Sequence, residues 1–423
     1  MLQIQYLRDN TKEAIERLKK KNIDSETAVN KALELDEVRR KAQQESDQLL
    51  AEANAASKEI GALMKTGNAL DAEVIKNKVS DLKLKIKFLE EAQANAEKYL
   101  QQHLYTIPNT PYHLVPEGKT PEENQEIKQS GKIPDLGKNN LPHWELTTKY
   151  DLIDFELGVK ITGAGFPVYK GKAARLQRAL INFFLDENTN IGYKEYQVPY
   201  VVNEASGYGT GQLPDKEGQM YHIGIDDLYL IPTAEVPLTN LFRDEIVKAE
   251  DLPIKLTGYT PCFRREAGSY GKDVRGLNRL HQFDKVEIVQ IQHPTKSYAA
   301  LEEMVEHVAN ILEKLELPYR ILRLCGGDMG FSSAMTYDFE VYSTAQQRWL
   351  EVSSVSNFET FQANRLKLRF REGTDKPQLA HTLNGSALAL PRIMAGILEN
   401  YQTADGINIP EVLIPYCGFD KIS

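Results

Sequence analysis

Cysteine is scarce in this 423-residue chain, and Cys262, Cys325 and Cys417 stand far apart. Without a CxxC pair, the sequence indicates neither a disulfide framework nor a zinc site. No apolar run approaches the length of about 18 residues that a membrane-spanning helix needs, so no membrane partner is expected. The first residues, MLQIQYLRDNTKEAIERLKKK, lack the apolar core of a secretory signal and carry acids, which favours a native N-terminus and a cytoplasmic protein.

A phosphate loop of the GxxxxGK[ST] type is also missing. The formal net charge of −9 argues against nonspecific coating of nucleic acid, although a local basic surface could still bind RNA. The apolar content of 41% and the charged content of 26% are ordinary for a soluble globular protein. The length allows one large domain and a smaller one.

Proline is absent from residues 28 to 101, where Ala, Glu, Lys, Leu and Gln dominate. Seam positions recur there at the spacing of a coiled coil, namely Leu35, Val38, Ala42, Leu49, Ala53, Ala56, Ile60 and Leu63, then Ile75, Val79, Leu82, Ile86, Leu89, Gln93, Ala96 and Leu100. Gly67 and Asn68 supply a turn, so the pattern predicts an antiparallel helical arm roughly 45–50 Å long. Before it, residues 1–26 are expected to form a strand-like segment and a helix that begins near Asn10 or Thr11.

Periodicity alone leaves the role of this arm open, because a dimerisation device or a simple spacer would show the same pattern. Its second helix carries a basic run within an acidic protein: Lys76, Lys78, Lys83, Lys85 and Lys87. Lysines on a solvated face usually act only to solubilise. A thin, locally basic rod could equally lie along a phosphate backbone.

Beyond a proline-containing linker, long helices are mixed with alternating strands. The predicted helices are residues 172–186, 295–315 and 389–402. The predicted strands are KEYQVPYVV, LYLIPTA, IKLTGYTPCF, LHQFDKVEIVQI, TYDFEVYS and RWLEVSSVSN. Strands joined by short turns predict an antiparallel sheet flanked by helices, and hence an α+β fold rather than a Rossmann or P-loop sheet.

Residues 262–291 concentrate arginine, lysine and glycine, and are predicted to form two antiparallel strands around a glycine-rich loop. Because strand side chains alternate between faces, one face collects ligand-binding groups: Arg264 and Glu266 on the first strand, with Arg279, Phe283 and Glu287 on the second. Such a face offers guanidinium for phosphate, an aromatic plate for a base, and carboxylates. The alternative is a surface ribbon laced with ion pairs.

Three motifs resemble those of class II aminoacyl-tRNA synthetases, in the form found in seryl-tRNA synthetases of the bacterial type. The second motif is similar to FRREAGSYGKDVRGLNRLHQFDKVE. The first is similar to GAGFPVYKGKAARLQRALINFFLDENTNIGYKEYQVPY, with Pro199, and the third to HTLNGSALALPRIMAGILENYQ, with Arg392. Further matching segments are GTGQLP, IPTAEVPLTN, GDMGFSSAMTYDFEVY and EVSSVSNFETFQANR, so the resemblance covers the whole chain.

The resemblance implies an N-terminal tRNA-binding domain with the coiled-coil arm, residues 1–105, and a class II catalytic domain, residues 106–423. It implies an AMP-forming serine–tRNA ligase: serine and ATP give seryl-adenylate, and the seryl group passes to the 3′ end of tRNA(Ser), or of tRNA(Sec) where present. It also implies a homodimer joined through the first motif.

For ATP, the resemblance implies that Arg264 bridges the serine carboxylate and the α-phosphate, while Arg392 holds the far phosphates. Glu266 would read the adenine edge and Phe283 would stack on the ring. The implied ATP-binding residues are Arg264, Arg265, Glu266, Arg279, Leu280, Phe283, Glu351, Val352, Ser353, Ser354 and Arg392, although strand alternation turns Arg265 away. Glu351 and Ser354 would bind Mg²⁺. No zinc is expected, because the metal-ligand cysteines of zinc-dependent archaeal seryl enzymes are missing.

For serine, the resemblance implies a site formed by Thr233, Ala234, Glu235, Glu287, Asn384 and Ser386. Its implied catalytic residues are Arg264, Glu287 and Arg392. One carboxylate suits the ammonium group and another the hydroxyl group; Glu287 is expected to be central, and the division of roles stays open. Groups that alanine would leave unpaired can discriminate by about 10⁴ or more. The alternatives for single residues are a helix N-cap for Ser386, an ordinary strand position for Thr233, and a packed strand histidine for His281.

Two departures from the family pattern stand out: Val355 replaces the usual cysteine, and Asn364–Arg365 replaces a double arginine. Two other functions compete with the ligase. A non-catalytic paralogue would have lost site residues that this chain keeps, namely Arg264, Glu287, Glu351 or Arg392. A ligase that loads a carrier protein would lack the long arm.

Overall fold

The computed structural model describes residues 1–137, 140–215, 217–266 and 275–423. The chain divides into two compact units. The helical unit comprises Leu2–Lys19 and Ile23–Pro108, and the sheet unit comprises Met1, Lys20–Asn22 and Asn109–Ser423. Within the described residues, no helix is both long enough and apolar enough to cross a bilayer.

The helical unit contains α1 (Ile4–Asp9), α2 (Thr11–Lys19), α3 (Ser25–Lys65) and α4 (Ala69–Leu104). The start of α2 confirms the helix predicted near Thr11, but α1 shows that the strand expected before it is wrong. Burial in α1 does not follow the alternation of a strand, since Leu7 is buried whereas Gln5 and Asp9, which would share its face in a strand, are exposed.

Helices α3 and α4 form the predicted antiparallel hairpin. Gly67, with φ of +81°, lies in the turn between them, where a left-handed backbone favours glycine. At the other end, His103 Nε2 lies 2.8 Å from the carbonyl oxygen of Ala28. With 41 residues, α3 extends about 60 Å, longer than expected because it already begins at Ser25.

The seam between the two helices is lined by small and aliphatic side chains. Ala53, Leu82 and Ile86 form a buried cluster with Leu49 packed against it. These four residues were all predicted at the seam, so the coiled-coil spacing is confirmed in the middle of the hairpin. Alanine on α3 opposite leucine and isoleucine on α4 lets the two backbones approach closely.

Asp36 occupies a buried place near the position predicted for Val38. Its side chain has no exposed area and lies 2.8 Å from Arg8, 2.9 Å from Arg39 and 3.1 Å from Arg40. Burial acts to raise the pKa of Asp36, but the hydrogen bonds and charges of Arg39 and Arg8 lower it below its ordinary value. Val38 is 50% exposed, so its predicted seam position is wrong.

The helices of the sheet unit are α5 (His143–Lys149), α6 (Phe155–Ile161), α7 (Gly171–Asn190), α8 (Glu204–Thr210), α9 (Glu235–Asn240), α10 (Ser297–Lys314), α11 (Phe361–Leu366), α12 (Leu390–Asn400) and α13 (Ile414–Cys417). The three helices predicted from sequence correspond to α7, α10 and α12.

The strands of the sheet unit are β1 (Gln125–Ser130), β2 (Ile153–Asp154), β3 (Val168–Tyr169), β4 (Lys194–Glu195), β5 (Val201–Asn203), β6 (His222–Ile223), β7 (Leu228–Leu230), β8 (Ile246–Lys248), β9 (Ile254–Phe263), β10 (Gln282–Gln292), β11 (Tyr319–Arg323), β12 (Met335–Ser343), β13 (Arg348–Asn357), β14 (Arg369–Arg371), β15 (Gln378–Leu379), β16 (His381–Ala389), β17 (Gln402–Thr403), β18 (Gly406–Asn408) and β19 (Lys421–Ile422).

Among the described residues, eight strands form the main sheet in the order β1-β11-β12-β13-β16-β10-β9-β4. All neighbours in it run antiparallel except β4 beside β9. The predicted α+β class with an antiparallel sheet is therefore confirmed. The predicted hairpin of β9 and β10 is well inside this sheet, because β10 pairs with β16 on its other side.

The main core lies between the sheet and the helices α7, α10 and α12. It includes Phe183 and Phe184 of α7, Ile311 of α10, Ile393 of α12 and Phe339 of β12, all buried. This packing supports the backs of the central strands, so the residues on their other face and at their ends are held in fixed positions.

The two edges of the main sheet are polar or short. β1 is exposed over nearly its whole length, and its pairing with β11 has a register shift between Glu126 and Lys128 that leaves Ile127 as the bulged residue. The opposite edge strand, β4, has only two residues, Lys194 and Glu195.

Candidate active site

A pocket of about 250 Å³ lies where β9, β10, β13, β16 and the start of α12 meet. Most of the predicted ATP-binding residues line it: Arg264, Glu266, Arg279, Leu280, Phe283, Glu351, Val352, Ser353, Ser354 and Arg392. Ser386 of the predicted serine site lines it as well. Residues of both predicted sites thus meet in one cavity.

Arg264 lies one residue beyond the end of β9, not within the strand as predicted. The pairing of the two strands nevertheless continues, because the Arg264 amide donates to the carbonyl oxygen of His281 at 2.9 Å. The guanidinium lies over the ring of Phe283, 5.2 Å from its centroid, and Arg264 Nε donates to the carbonyl oxygen of Pro232 at 3.2 Å. These contacts fix the orientation of Arg264 at the pocket wall.

Glu266 and Arg279 face each other across the same end of the hairpin. Both lie outside the strands, and Arg279 Nε is 2.6 Å from Glu266 Oε2. Arg265, the residue before Glu266, is exposed, and its amide donates to the carbonyl oxygen of Gln219 at 2.8 Å. Arg265 is not found among the described residues that line the pocket, so its assignment to ATP stays a prediction.

Glu287 is buried and has two close partners. Its Oε2 lies 2.6 Å from Lys285 Nζ, and it accepts a hydrogen bond from Thr233 Oγ1 at 3.1 Å. Burial raises the pKa of Glu287, although the charge and hydrogen bond of Lys285 oppose the shift. Thr233 lies between β7 and α9, so the alternative of an ordinary strand position is wrong, and its hydroxyl contacts a predicted site residue.

Glu235, the first residue of α9, is a second buried carboxylate beside Glu287. Its Oε1 accepts from Gln362 Nε2 at 2.6 Å, and Gln212 Nε2 lies 3.5 Å from its Oε2. Burial, and then the charge of Glu287, raise the pKa of Glu235 to about 7. Ala234 precedes it and is fully buried.

Ser386 and Asn384 both lie on β16, with Ser386 opposite Glu287 in register. The two residues share a face because they are two positions apart. Helix α12 begins at Leu390 with Ala389 at its N-cap, so the N-cap alternative for Ser386 is wrong. The carbonyl oxygen of Ser386 accepts from Ser353 Oγ at 2.6 Å, which joins β16 to β13 at the pocket.

Glu351 and Ser354, the predicted Mg²⁺ ligands, both lie on β13. Ser354 Oγ donates to Asp338 Oδ1 at 2.5 Å, and burial together with the charge of Glu351 raises the pKa of Asp338 well above its ordinary value. Hard oxygen donors with mutually repelling carboxylates suit a divalent cation. No group of three or more His, Cys, Asp or Glu residues in the described chain is arranged to hold a metal.

Arg392, in the first turn of α12, connects two walls of the pocket. Its Nη1 donates to the carbonyl oxygen of Glu351 at 2.6 Å and lies 3.7 Å from the Glu351 carboxylate. Its Nε donates to the carbonyl oxygen of Asn278 at 3.1 Å. The guanidinium is thus held at the pocket by backbone acceptors from β13 and from the segment that precedes β10.

His281 is packed, as the non-catalytic interpretation predicted. Its ring stacks on Phe166 with centroids 5.4 Å apart, and its Nδ1 lies 3.1 Å from the carbonyl oxygen of Arg264. Residues 267–274 of the predicted glycine-rich loop lie outside the described residues.

Several residues that line the pocket, or that contact its lining or the predicted serine site, were not predicted from the sequence. Lys285 could have been, because it lies on the same strand between Phe283 and Glu287 at the alternation that selected both. Asp338 and Gln362 carry no such signal, since each reaches the site from an element distant in sequence. The unpredicted lining residues are Leu277, Asn278, Lys285, Ala389 and Pro391.

Comparisons with known proteins agree along the whole chain. The model of the seryl-tRNA synthetase N-terminal domain matches residues 1–111, and that of the tRNA synthetase class II core domain (G, H, P, S and T) matches residues 221–401. A serine–tRNA ligase of Salinibacter ruber is 51% identical, covering 100% of this chain and 99% of the relative. The chain belongs to the seryl-tRNA synthetase family. The family resemblance and the enzyme class predicted from sequence are confirmed.

Solved structures of seryl-tRNA synthetases match the whole chain as well. The enzyme of Pyrococcus horikoshii complexed with ATP has a TM-score of 0.95 at 33% identity, covering 100% of this chain and 99% of its own. The cytoplasmic serine–tRNA ligase of Naegleria fowleri, in complex with AMP, has a TM-score of 0.90 at 26% identity and the same coverage. A prolyl-tRNA synthetase of Giardia lamblia, at 15% identity and a TM-score of 0.56, shares only the fold, over 64% of this chain.

Proposed function

We propose that this chain activates L-serine with ATP and transfers the seryl group to the 3′ end of tRNA(Ser), and of tRNA(Sec) where that tRNA is present. Its family membership supplies the reaction class. The observation that carries the proposal is a single pocket lined by Arg264, Arg392 and Ser386. The guanidinium of Arg264 lies over the ring of Phe283, and Ser386 is paired with the buried Glu287 on the neighbouring strand. A nucleotide and an amino acid would meet there.

The activation step requires an anionic carboxylate to attack an anionic α-phosphate. Catalysis therefore consists mainly of positioning and charge neutralisation, and needs no protein nucleophile. Arg264 would contact both anions, since its planar fork suits each of them. Arg392 and Arg279 would hold the far phosphates, and pyrophosphate would leave toward them.

The adenosine would bind at the end of the β9–β10 hairpin. Phe283 would stack on the adenine ring, and Glu266 would accept hydrogen bonds from its edge. Leu280, Val352 and Ser353 would contact the nucleotide through their backbones. Arg279, now 2.6 Å from Glu266, would exchange part of that ion pair for phosphate oxygens.

Mg²⁺ would be held by Glu351 and Ser354 and would supply charge neutralisation of the phosphates when bound. Asp338, whose Oδ1 accepts the Ser354 hydroxyl at 2.5 Å, fixes the direction of that hydroxyl oxygen. Removing Mg²⁺ with a chelator is expected to abolish activation. We propose no role for zinc.

Serine would bind below the nucleotide, among Thr233, Ala234, Glu235, Glu287, Asn384 and Ser386. The two buried carboxylates suit its ammonium and hydroxyl groups. Alanine in place of serine would leave buried acceptors unpaired, which disfavours its activation.

We further propose that residues 1–105 form the tRNA-binding domain, residues 106–423 the aminoacylation domain, and that the protein works as a cytoplasmic homodimer joined through the first motif. The lysines of α4 support a role in binding tRNA, since they form a basic run on one helix of an acidic protein.

The first test is serine-dependent exchange of pyrophosphate into ATP, with the full chain. The Arg264→Lys variant should lose about 100-fold or more in kcat/KM, because lysine cannot form the fork that neutralises two anions. Arg369→Lys is the matched control, since Arg369 is exposed on β14, and should retain full exchange. No exchange by the parent protein with serine would refute the proposal.

The second test separates the arm from the chemistry. Residues 30–100 can be replaced by a short glycine–serine turn, because α3 and α4 are in contact at the base of the hairpin, where His103 Nε2 lies 2.8 Å from the carbonyl oxygen of Ala28. The shortened protein should keep pyrophosphate exchange and lose at least about 10-fold in kcat/KM for charging tRNA. Unchanged charging would refute the role proposed for the arm.

A further inference from the structure

His143, the first residue of α5, is buried in the sheet unit with no exposed side-chain area. Its Nδ1 lies 2.7 Å from Glu399 Oε1, and its backbone amide donates to the same oxygen at 2.9 Å. Its Nε2 accepts the backbone N–H of Leu277 at 2.9 Å. Because an amide can only donate, Nε2 carries no proton, and the ring proton is on Nδ1, facing the carboxylate.

Glu399 is surrounded by donors that fix this arrangement. Its Oε1 also accepts from Gln346 Nε2 at 3.2 Å, and its Oε2 accepts from the hydroxyl of Ser343. Burial acts to raise the pKa of Glu399, but the hydrogen bonds that it accepts from His143 and from the hydroxyl of Ser343 lower it below its ordinary value. An ionised Glu399 in turn keeps the ring proton of His143 on Nδ1.

The chain approaches this histidine too closely for any residue but glycine. Gly276 has φ of +66°, and a Cβ built on it would lie 2.3 Å from His143 Nε2. The ring could not move aside, because Glu399 holds its opposite nitrogen. The sequence thus places a glycine where the backbone must rest against the edge of the imidazole.

The segment held in this way forms one wall of the proposed ATP site. Residues 277–280 all line the pocket. Asn278 is anchored twice more, since its carbonyl oxygen accepts from Arg392 Nε at 3.1 Å and its Nδ2 donates to Gln346 Oε1 at 3.0 Å. Gln346 in turn donates a hydrogen bond to Glu399. The wall is therefore anchored to the carboxyl end of α12, the helix whose first turn supplies Arg392.

We propose that His143 is a positioning residue of the nucleotide pocket: held by Glu399, it fixes the Leu277 amide and thereby the wall formed by residues 277–280. The proposal rests on the proposed function, since the ligand of this wall is the ATP of the activation step. His143 touches neither substrate. Its effect is expected on ATP rather than on serine, whose proposed site lies on β10, β16 and α9.

Two substitutions of His143 distinguish the roles of its two ring nitrogens. In His143→Asn, the side-chain amide can still donate to Glu399 but cannot reach the Leu277 N–H. In His143→Gln, the longer side chain brings its carbonyl oxygen to the place of Nε2, where it can accept that N–H. In serine-dependent exchange, we expect H143N to raise the KM for ATP about 10-fold or more and to change the KM for serine less than about 3-fold. We expect H143Q to have a KM for ATP within about 3-fold of that of the parent protein.

His307→Gln is the matched control for losing a buried histidine. His307 lies on α10 and its Nε2 is 2.7 Å from Asn188 Oδ1, so the substitution disturbs packing without touching the wall. Its KM for ATP should stay within about 2-fold of the parent. If H143N does not fold, Gly276→Ala tests the same contact from the other side and should raise the KM for ATP in the same way.

Equal increases in the KM for ATP and for serine, or no restoration by H143Q, would overturn the proposal and leave His143 a role in stability alone. The dissociation constant of ATP, measured by calorimetry on the same variants, should follow the KM values. If the parent protein binds ATP but shows no exchange with serine, the proposed function fails, while the calorimetric series still tests the role of His143.

Discussion

Glu235 and Glu287 are two buried carboxylates whose negative charges are offset by different partners. Glu287 lies 2.6 Å from the ammonium group of Lys285, whereas Glu235 accepts from the amides of Gln362 and Gln212. The pKa of Glu235 is about 7, raised by burial and then by the charge of Glu287. Near neutral pH, Glu235 is therefore present in both its protonated and its ionised form, and a bound ammonium group would favour the ionised form.

Serine binding should depend on this proton. We expect the KM for serine to fall between about pH 6 and pH 8, because either role open to Glu235, with the ammonium or with the hydroxyl, requires a carboxylate. Glu235→Gln should remove this dependence and raise the KM about 100-fold at pH 8. Exchange kinetics across this range measure both effects, with exposed Glu250→Gln as control. A parental KM that does not change with pH would contradict the expectation.

The same residue should limit stability. A carboxyl with a pKa of 4.5 in the unfolded chain and about 7 in the folded chain binds its proton more tightly when folded, so its contribution to stability falls as pH rises between these values. Glu235→Gln should therefore gain stability over the parent across this interval, reaching up to about 3 kcal/mol above pH 7. Thermal unfolding at several pH values tests this, and equal Tm values at pH 8 would contradict it.

Two leucines of α4 allow the contribution of side-chain burial to the stability of the hairpin to be tested within one helix. Leu82 is 6% exposed and packs against Ala53 and Ile86, while Leu84, two residues further, is 67% exposed. Leu82→Ala should cost the hairpin about 2–3 kcal/mol, and Leu84→Ala less than about 0.5 kcal/mol. Hydrogen exchange of the α4 amides measures the difference. Equal loss of protection in the two variants would show that the seam does not stabilise the hairpin.

Periodicity in the sequence was sufficient to predict α4, its seam and the reversal at Gly67, because a long two-helix contact repeats the same local environment. It was wrong at Val38, because Asp36 is buried with a partner, Arg8, that belongs to another helix. The period of hydrophobic residues carries no information on such compensation between distant charges.

Strands β9 and β10 could be predicted from their alternation, whereas β16 could not. The sequence of β16, HTLNGSALA, has little β propensity, and it is a strand because β10 and β13 pair with it on both sides. At Gly385 the fit is close, since a Cβ there would lie 3.1 Å from a methyl group of Val355. The site residues divide in the same way. Lys285 could be predicted from the alternation of side chains along β10, whereas Asp338 and Gln362 reach the site only through tertiary contacts.

The two units, each with its own buried core, should respond differently to ligands. In the proposed function, ATP, Mg²⁺ and serine all bind the sheet unit, and a ligand at 100 times its Kd stabilises its host by about 2.7 kcal/mol. Hydrogen exchange should therefore slow in β10, β13 and β16 when the three ligands are added. Amides of α3 and α4 serve as the internal control and should be unchanged. A uniform gain of protection in both units would contradict this separation.

The edges of the main sheet bear on how the protein behaves at high concentration. β1 offers Gln125, Glu126, Lys128 and Gln129 to solvent, and its one aliphatic residue, Ile127, lies at the bulge that interrupts pairing with β11. β4 is too short to serve as a template for another strand. Because charged, bulged and short edges resist strand-by-strand addition of a second sheet, an open eight-stranded sheet can be synthesised and stored without edge-to-edge aggregation.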